Sequence, residues 1–243
     1  MNWTWFHRLA SPPHFYRIAG QLLPWFAIPA ALLLLAGIYG GLVLAPPDYQ
    51  QGDAYRIIYI HAPSAWLSLL CYTVMATAAF VGLVWRIKLA HAVAAATAPI
   101  GASFTALALA TGSLWGRPMW GTWWEWDARL TSELILLFLY LGYMALRSAF
   151  DDLTRADRAS ALLAVVGVVN VPIIHFSVYW WNSLHQGTTV FKAQPSIPPS
   201  MLVPLLMCLL GSTLLYGALL CVRVRAEVLE RERQASWLAG LVK

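Results

Sequence analysis

The sequence predicts an all-α membrane protein: a polytopic bundle of six transmembrane helices with both termini in the cytoplasm. Its composition indicates this class, because 60% of the residues are hydrophobic and only 11% are charged. Soluble domains carry about 25% charged residues, so a bundle surrounded by water is excluded. The lengths of the apolar stretches point the same way, since ~20 apolar residues are needed to cross the hydrocarbon core of a bilayer.

Six stretches are long and apolar enough to span a membrane. They lie at 24–44, 61–85, 93–115, 130–147, 159–181 and 201–222. The segments between them are short, so we expect residues 1–243 to form one membrane domain with no separate soluble part. Segment 223–243 begins with mixed charges at helical spacing, and it is predicted to continue the sixth helix into the cytoplasm.

The distribution of lysine and arginine predicts the orientation. With the N-terminus in the cytoplasm, twelve of the sixteen basic residues fall on the cytoplasmic side, as basic residues do in membrane proteins. The net charge of +5 is then a topology signal, and no nucleic-acid partner is predicted. The outward loops become 45–60, 116–129 and 182–200.

The second outward loop contains an unusual run, WGTWWEWD, at residues 120–127. It places Trp120, Trp123, Trp124 and Trp126 within seven residues, and Trp115 lies just before it. Tryptophan is enriched at membrane interfaces as an aromatic belt, but a belt places one or two aromatic residues at each helix end. The density therefore favours a wall that holds a flat aromatic molecule.

Two histidines are predicted on the same side of the membrane as this run. His61 opens the second span, and His185 lies just beyond the fifth. Imidazole is an axial ligand of haem iron, and aromatic rings bury large areas against a flat apolar face. Arg56, Arg117 and Arg129 are on this side as well, and a guanidinium matches a propionate carboxylate. Together these residues predict a haem site.

Plainer interpretations remain open for single residues. His61 and His185 could each be a hydrogen-bonded histidine at the membrane interface. His175 is predicted to lie buried in the fifth span, either as a weaker candidate for an iron ligand or as a partner in a helix–helix hydrogen bond. Asp127 could belong to the haem site or cap the fourth helix. Glu133 could be a partner of that helix dipole.

Long stretches of the chain resemble the tryptophan-rich haem-handling proteins of cytochrome c maturation. These stretches are WGRPMWGTWWEWDARLTSELILLFLY, YRIIYIH, APIGASFTALALATGSLWG and GVVNVPIIHFSVYWWNSLHQG. The resemblance covers residues 12–225. Larger members of the family, which perform the final ligation, have many more than six spans, so the chain is similar to a smaller member.

The resemblance implies a function and a set of roles. His61 and His185 would be the axial ligands of a transiently, non-covalently bound haem b, and the segment from Trp115 to Asp127 would face it. The haem would be held at the periplasmic face of the bacterial inner membrane. It would then pass to a small membrane-anchored haem chaperone, which binds it covalently through its own histidine.

The resemblance also implies partners: an ABC-type ATPase with its membrane subunit, a small single-span subunit and membrane lipid. The chain is expected to deliver haem and not to act as an enzyme. The nucleotide-binding pattern G-x-x-x-x-G-K-[ST] does not occur in it, so ATP hydrolysis is expected in the partner subunits.

Two other functions are compatible with the residues. A b-type cytochrome subunit of a redox enzyme would place pairs of histidines deep within the helices, where only His175 is expected. A transporter subunit that binds no haem would use its tryptophans only as an interfacial belt, and it would tolerate loss of His61 and His185.

Overall fold

The computed structural model describes residues 11–181, 183, 185 and 197–240. Among these residues it contains helices and no strand. Six of the helical segments are long and apolar enough to cross a membrane, which confirms the predicted fold class. The cytoplasmic position of the termini and the single-domain assignment stay predictions.

The helices are numbered in chain order. They are α1 (Pro12–Tyr39), α2 (Ile58–Trp85), α3 (Lys88–Trp120), α4 (Ala128–Ser148), α5 (Leu153–Gly167), α6 (Asn170–Trp180) and α7 (Pro199–Arg231). A π-helical turn (Gly40–Leu44) extends α1, and 3-10 turns (Asp53–Ile57 and Ser236–Gly240) precede α2 and follow α7. The fifth span consists of α5 and α6.

The helices reach further into the predicted loops than the apolar lengths indicated. Because α3 continues to Trp120 and α4 begins at Ala128, the second connection is 121–127 and not 116–129. The first connection ends at Gly52, before the 3-10 turn. Hydropathy measures only the hydrocarbon crossing, whereas a helix can continue through the interface. Most of the predicted third loop, 182–200, lies outside the described residues.

The fifth span is interrupted at 168–169, between α5 and α6. Pro172 lies four residues after Val168, and a proline ring clashes with the carbonyl four residues before it and donates no hydrogen bond. The side-chain amide of Asn170 donates to the Ser132 carbonyl on α4 at 2.8 Å, which fixes the start of α6. The fifth predicted span, 159–181, is thus confirmed as a membrane-length segment, but it consists of two helices.

The core of the bundle lies where α2, α3 and α4 meet. Tyr72 and Tyr140 are fully buried there and pack edge to face with ring centroids 5.0 Å apart. The Tyr140 hydroxyl donates to the Ser68 carbonyl at 2.8 Å. A Cβ atom at Gly101 would lie 2.2 Å from that hydroxyl, so only glycine at this position allows α3 to lie this close to Tyr140 on α4. α1 packs mainly against α7, which also contacts α2 and α3.

Four charged side chains form a cluster at the end of the bundle away from the tryptophan run: Arg147, Asp157, Glu227 and Arg231. We call it the charge cluster. Both terminal nitrogens of Arg231 donate to Asp157, at 2.7 and 2.8 Å, and its Nε donates to Glu227 at 2.8 Å. Arg147 contacts both acids. The cluster ties α4, α5 and α7 together.

Candidate functional site

One face of the last turns of α3 forms the floor of the site. Thr111, Gly112, Trp115 and Gly116 share this face because residues four apart are neighbours on a helix. His61, in the first turn of α2, packs against it. A Cβ atom at Gly112 would lie 3.0 Å from Cε1 of His61, so glycine leaves room for the imidazole. Trp115 meets the same ring edge to face, with centroids 5.6 Å apart.

Thr111 fixes the tautomer of His61. The Thr111 hydroxyl donates its one hydrogen to helix carbonyls, at 2.6 Å to Leu107 and 3.2 Å to Ala108. It also lies 3.0 Å from Nδ1 of His61. Because the hydroxyl hydrogen is already used, the oxygen accepts from the ring and Nδ1 carries the hydrogen. In a neutral imidazole, Nε2 then keeps a lone pair.

The turn before α2 holds the indole of Trp115 in place. The Asp48 side chain accepts hydrogen bonds from the backbone N–H groups of Gln50 and Gln51 at 3.0 and 2.8 Å. Gly52 closes the turn with a φ of 56°, a region that favours glycine. The turn directs the side-chain oxygen of Gln51 to Nε1 of Trp115, at 3.0 Å.

Asp127 holds the second histidine, His185. One carboxylate oxygen accepts from Nδ1 of His185 at 2.8 Å and also accepts from the hydroxyl of Ser183. The other oxygen accepts from the Leu130 N–H at 2.8 Å, which caps α4. The His185 N–H donates to Ser183 at 3.1 Å. The cap on α4 therefore does not exclude a place for Asp127 in the predicted haem site, because its other oxygen holds His185.

The environment of Asp127 keeps its carboxylate ionised. Burial would raise its pKa, but the hydrogen bonds from His185, Ser183 and the Leu130 N–H outweigh burial and lower the pKa to about 2. An ionised carboxylate can only accept hydrogen bonds. Nδ1 of His185 therefore carries the hydrogen, and in a neutral imidazole its Nε2 keeps a lone pair, as in His61.

The end of α3 places Trp120 against His185, with ring centroids 4.7 Å apart. Gly121 ends the helix with a φ of 78°, the left-handed conformation that glycine adopts without strain. The Arg117 side chain donates to the Gly121 carbonyl, so Arg117 stabilises the helix end. One turn earlier, a Cβ atom at Gly116 would lie 3.1 Å from the Trp120 ring.

The other tryptophans of the run, Trp123, Trp124 and Trp126, differ in exposure and do not form one continuous wall. Trp123 and Trp126 are 54% and 73% exposed, whereas Trp124 is half-buried. Trp124 meets Trp126 edge to face at 5.4 Å, and its Nε1 is buried without a hydrogen-bond partner among the described residues. Trp115 contacts His61 and Trp120 contacts His185, whereas Trp123, Trp124 and Trp126 lie in the loop after α3.

Of the three arginines predicted to suit propionates, Arg56 and Arg129 differ in their surroundings. Arg56 is already engaged, since its guanidinium contacts Asp53 and the Gly41 carbonyl, each at 2.9 Å. Arg129 is half-buried, within electrostatic range of Asp127 and Glu133. It forms no ion pair with any residue that the structure describes.

His175 lies in the fifth span, as predicted, but its side chain is not buried. Its side chain is exposed on α6 and contacts the ring of Phe176 at 4.8 Å. The expectation of a buried side chain was wrong, because apolar length places a residue within a span but does not assign the face of the helix on which it lies. Glu133 is buried in the second turn of α4.

Sequence reasoning missed four residues that shape the site: Gln51, Thr111, Gly112 and Ser183. Two of them carried a signal. Thr111 lies one helical turn before Trp115, and Ser183 lies two residues before His185, a spacing typical of serine side chains that bond to the backbone. Gln51 and Gly112 act across elements, so no local pattern marked them.

Comparison with known proteins identifies the family. The family model for heme exporter protein C (CcmC) matches residues 5–239. The chain belongs to this family. Heme exporter protein C of Escherichia coli K12 is 53% identical over 240 residues, covering 99% of this chain and 97% of that protein. The heme exporter protein C of Haemophilus influenzae is 53% identical over 242 residues, covering 99% and 98%.

The family's sequence pattern extends to a plant relative. A putative cytochrome c biosynthesis ccmC-like mitochondrial protein of Marchantia polymorpha is 45% identical over 197 residues, covering 81% of this chain and 84% of the relative. As a member of the heme exporter protein C family, the chain is a multi-pass membrane protein connected with cytochrome c biogenesis.

Proposed function

We propose that this protein binds haem b non-covalently beside Trp115 and Trp120 and passes it to a small membrane-anchored haem chaperone. The site would face the periplasm from the bacterial inner membrane. One observation carries the proposal: His61 and His185 come from separate elements, and each has its Nδ1 bound to a protein acceptor. A histidine in this state offers Nε2 to a metal, as metal-bound histidines generally do.

The other residues of the site fit a haem as cargo. Trp115 and Trp120 supply aromatic area beside the two imidazoles. Arg129 is better suited than Arg56 to a propionate, because Arg56 would first have to leave Asp53. The buried, unpartnered Nε1 of Trp124 is a donor that a bound carboxylate would satisfy. The exposed rings of Trp123 and Trp126 would meet the haem edge or the chaperone.

The protein would work as a delivery component. The ATP-dependent step would belong to an ABC-type ATPase with its membrane subunit, with a small single-span subunit alongside. Relatives that are 53% identical are named heme exporter protein C, and the resemblance of the sequence implies these partners. Release would require one iron ligand to be loosened, since a haem held by two histidines resists transfer.

The test is the visible absorption spectrum of the purified protein, co-expressed with its proposed partners. We expect a low-spin spectrum with two histidine ligands in the parent. His61→Ala and His185→Ala should each lose haem or turn it high-spin. His175→Ala is the matched control, because that side chain is exposed on α6 and packs on Phe176, and it should keep the parent spectrum.

Two results would contradict the proposal. A parent without haem would favour a transporter subunit whose tryptophans serve only as an interfacial belt. A low-spin spectrum that survives loss of His61 and His185 but depends on His175 would favour a b-type cytochrome.

A further inference from the structure

The two histidines are held by acceptors of unequal charge. Nδ1 of His185 donates to a carboxylate at 2.8 Å, whereas Nδ1 of His61 donates to a neutral hydroxyl at 3.0 Å. Hydrogen bonds to a charged acceptor are roughly twice as strong as those between neutral groups. Such a bond makes the other ring nitrogen more basic and a better ligand. The two imidazoles therefore differ in donor strength.

We propose that His61 is the axial ligand that detaches first when haem leaves, that His185 is the ligand retained, and that Thr111 is the positioning residue for His61. This inference rests on the proposed function, because it takes haem to be bound between these histidines. It adds an order of release and assigns a role to a residue outside the tryptophan run.

The placement of the two residues in the fold would by itself suggest the opposite order. His61 belongs to α2, whereas His185 follows the end of α6. Yet His185 has three contacts that restrain it. Its backbone donates to Ser183, its ring donates to Asp127, and its ring packs on Trp120. His185 is therefore held by the side chains of Ser183, Asp127 and Trp120, and Asp127 supplies the charged acceptor.

Thr111 sets the orientation of His61 without strongly raising its basicity. Its hydroxyl donates to the Leu107 carbonyl at 2.6 Å, which orients the oxygen lone pairs towards the ring. Loss of the hydroxyl would remove the acceptor for Nδ1 and free the ring to take the other tautomer. The iron-binding nitrogen would then no longer be specified, although Gly112 and Trp115 would still confine the ring.

Carbon monoxide identifies the ligand that leaves. It binds ferrous haem by displacing one histidine, and the vibrations of the iron–carbonyl unit report the basicity of the histidine that remains. We would record resonance Raman spectra of the carbonyl adducts of the parent, His61→Ala and His185→Ala. The parent adduct should match that of His61→Ala, in which His185 is retained. A match to His185→Ala would overturn the proposal.

Thr111→Val tests the positioning residue, because valine keeps the shape and removes the hydroxyl. Half-displacement should require ~10–100-fold less carbon monoxide than in the parent, the usual effect of losing an outer-shell partner of a metal ligand. Thr111→Ser should restore the parent value. The matched control is Thr105→Val: Thr105 is buried on α3 and donates to the Gly101 carbonyl. Equal behaviour of Thr111→Val and Thr105→Val would overturn the role of Thr111.

The outcomes separate this inference from the proposed function. If the parent binds no haem, the proposed function fails and the order of release fails with it. If the parent binds haem through both histidines but carbon monoxide displaces His185, only the order of release fails.

Discussion

The carboxylate of Asp127 joins His185 to the first turn of α4. One oxygen accepts from Nδ1 of His185 at 2.8 Å, and the other accepts from the Leu130 N–H at the same distance. A single side chain therefore ends the tryptophan loop, starts the next helix and orients a proposed iron ligand. Substitutions at this position should separate these roles.

Asp127→Asn should weaken haem binding while leaving the start of α4 intact. Asparagine caps helices about as well as aspartate, but its neutral oxygen is a weaker acceptor for His185. We expect haem affinity to fall by ~10–100-fold, measured by titrating the apoprotein with haem. Asp127→Ala should also lose the cap, which lowers the free energy of unfolding by a further ~0.5–2 kcal/mol. Parent affinity in Asp127→Asn would show that the charge is unimportant.

The stability that Asp127 contributes should persist far into the acid range. Its folded pKa is lowered to about 2, below the ordinary ~3.9 of an unfolded aspartate. A lowered pKa means that the contribution is complete above pH ~4 and is lost as the pH falls towards 2. The measurement is the difference in thermal unfolding between the parent and Asp127→Asn. If this stability difference disappeared between pH 7 and 5, the pKa of Asp127 would be raised by burial and not lowered by its hydrogen bonds.

Gly112→Ala should disturb His61 without unfolding the bundle. The added Cβ atom would lie 3.0 Å from Cε1 of His61, so the ring must move by a few tenths of an ångström. We expect ~10-fold weaker haem binding with near-parent thermal stability. Gly142→Ala is the matched control, because its Cβ atom would meet only the flexible end of Leu163 at 3.3 Å. Equal haem content in both variants would count against the placement of His61.

Gly101→Ala should destabilise the core of the bundle. The new Cβ atom would lie 2.2 Å from the Tyr140 hydroxyl, whose bond to the Ser68 carbonyl holds α4 to α2. Overpacking of this kind lowers the free energy of unfolding by ~1–3 kcal/mol or more. Unfolding in mixed detergent would measure it, again against Gly142→Ala. A stability equal to the control would mean that α3 can move away from α4 at little cost.

The charge cluster should show strong coupling between Arg231 and Asp157. Both side chains are over nine-tenths buried, so Arg231→Met leaves a buried acid short of a partner, a loss of up to ~3–5 kcal/mol. In a double-mutant cycle, the variant with both Arg231→Met and Asp157→Asn should lose less stability than the two single variants together. The expected coupling energy is ~0.5–3 kcal/mol.

The control for this cycle is the exposed pair Arg233 and Glu230, 3.5 Å apart. Exposed pairs contribute about 0–1 kcal/mol, so Arg233→Met should change stability little. Additive losses at Arg231 and Asp157, similar to this control, would contradict a cooperative cluster.

Part of the site could be predicted because it depends on counting spans. The number of spans between them was enough to predict His61, His185 and the tryptophan run on one side of the membrane. The structure places Trp115 against His61 and Trp120 against His185. Counting spans did not predict which individual residues would be in contact. The bond of Thr111 to His61 and that of Asp127 to His185 join residues 50 and 58 positions apart.

The six membrane-spanning helices could be predicted from the sequence alone, because apolar length and composition are local properties that a bilayer selects directly. Tertiary structure decided which side chains meet. It broke the fifth span at 168–169, exposed His175, and gave His185 a charged acceptor where His61 has a neutral one. These outcomes depend on the rotation of each helix about its axis and on how the loops close. Hydropathy does not encode either, since lipid accepts any apolar face equally well.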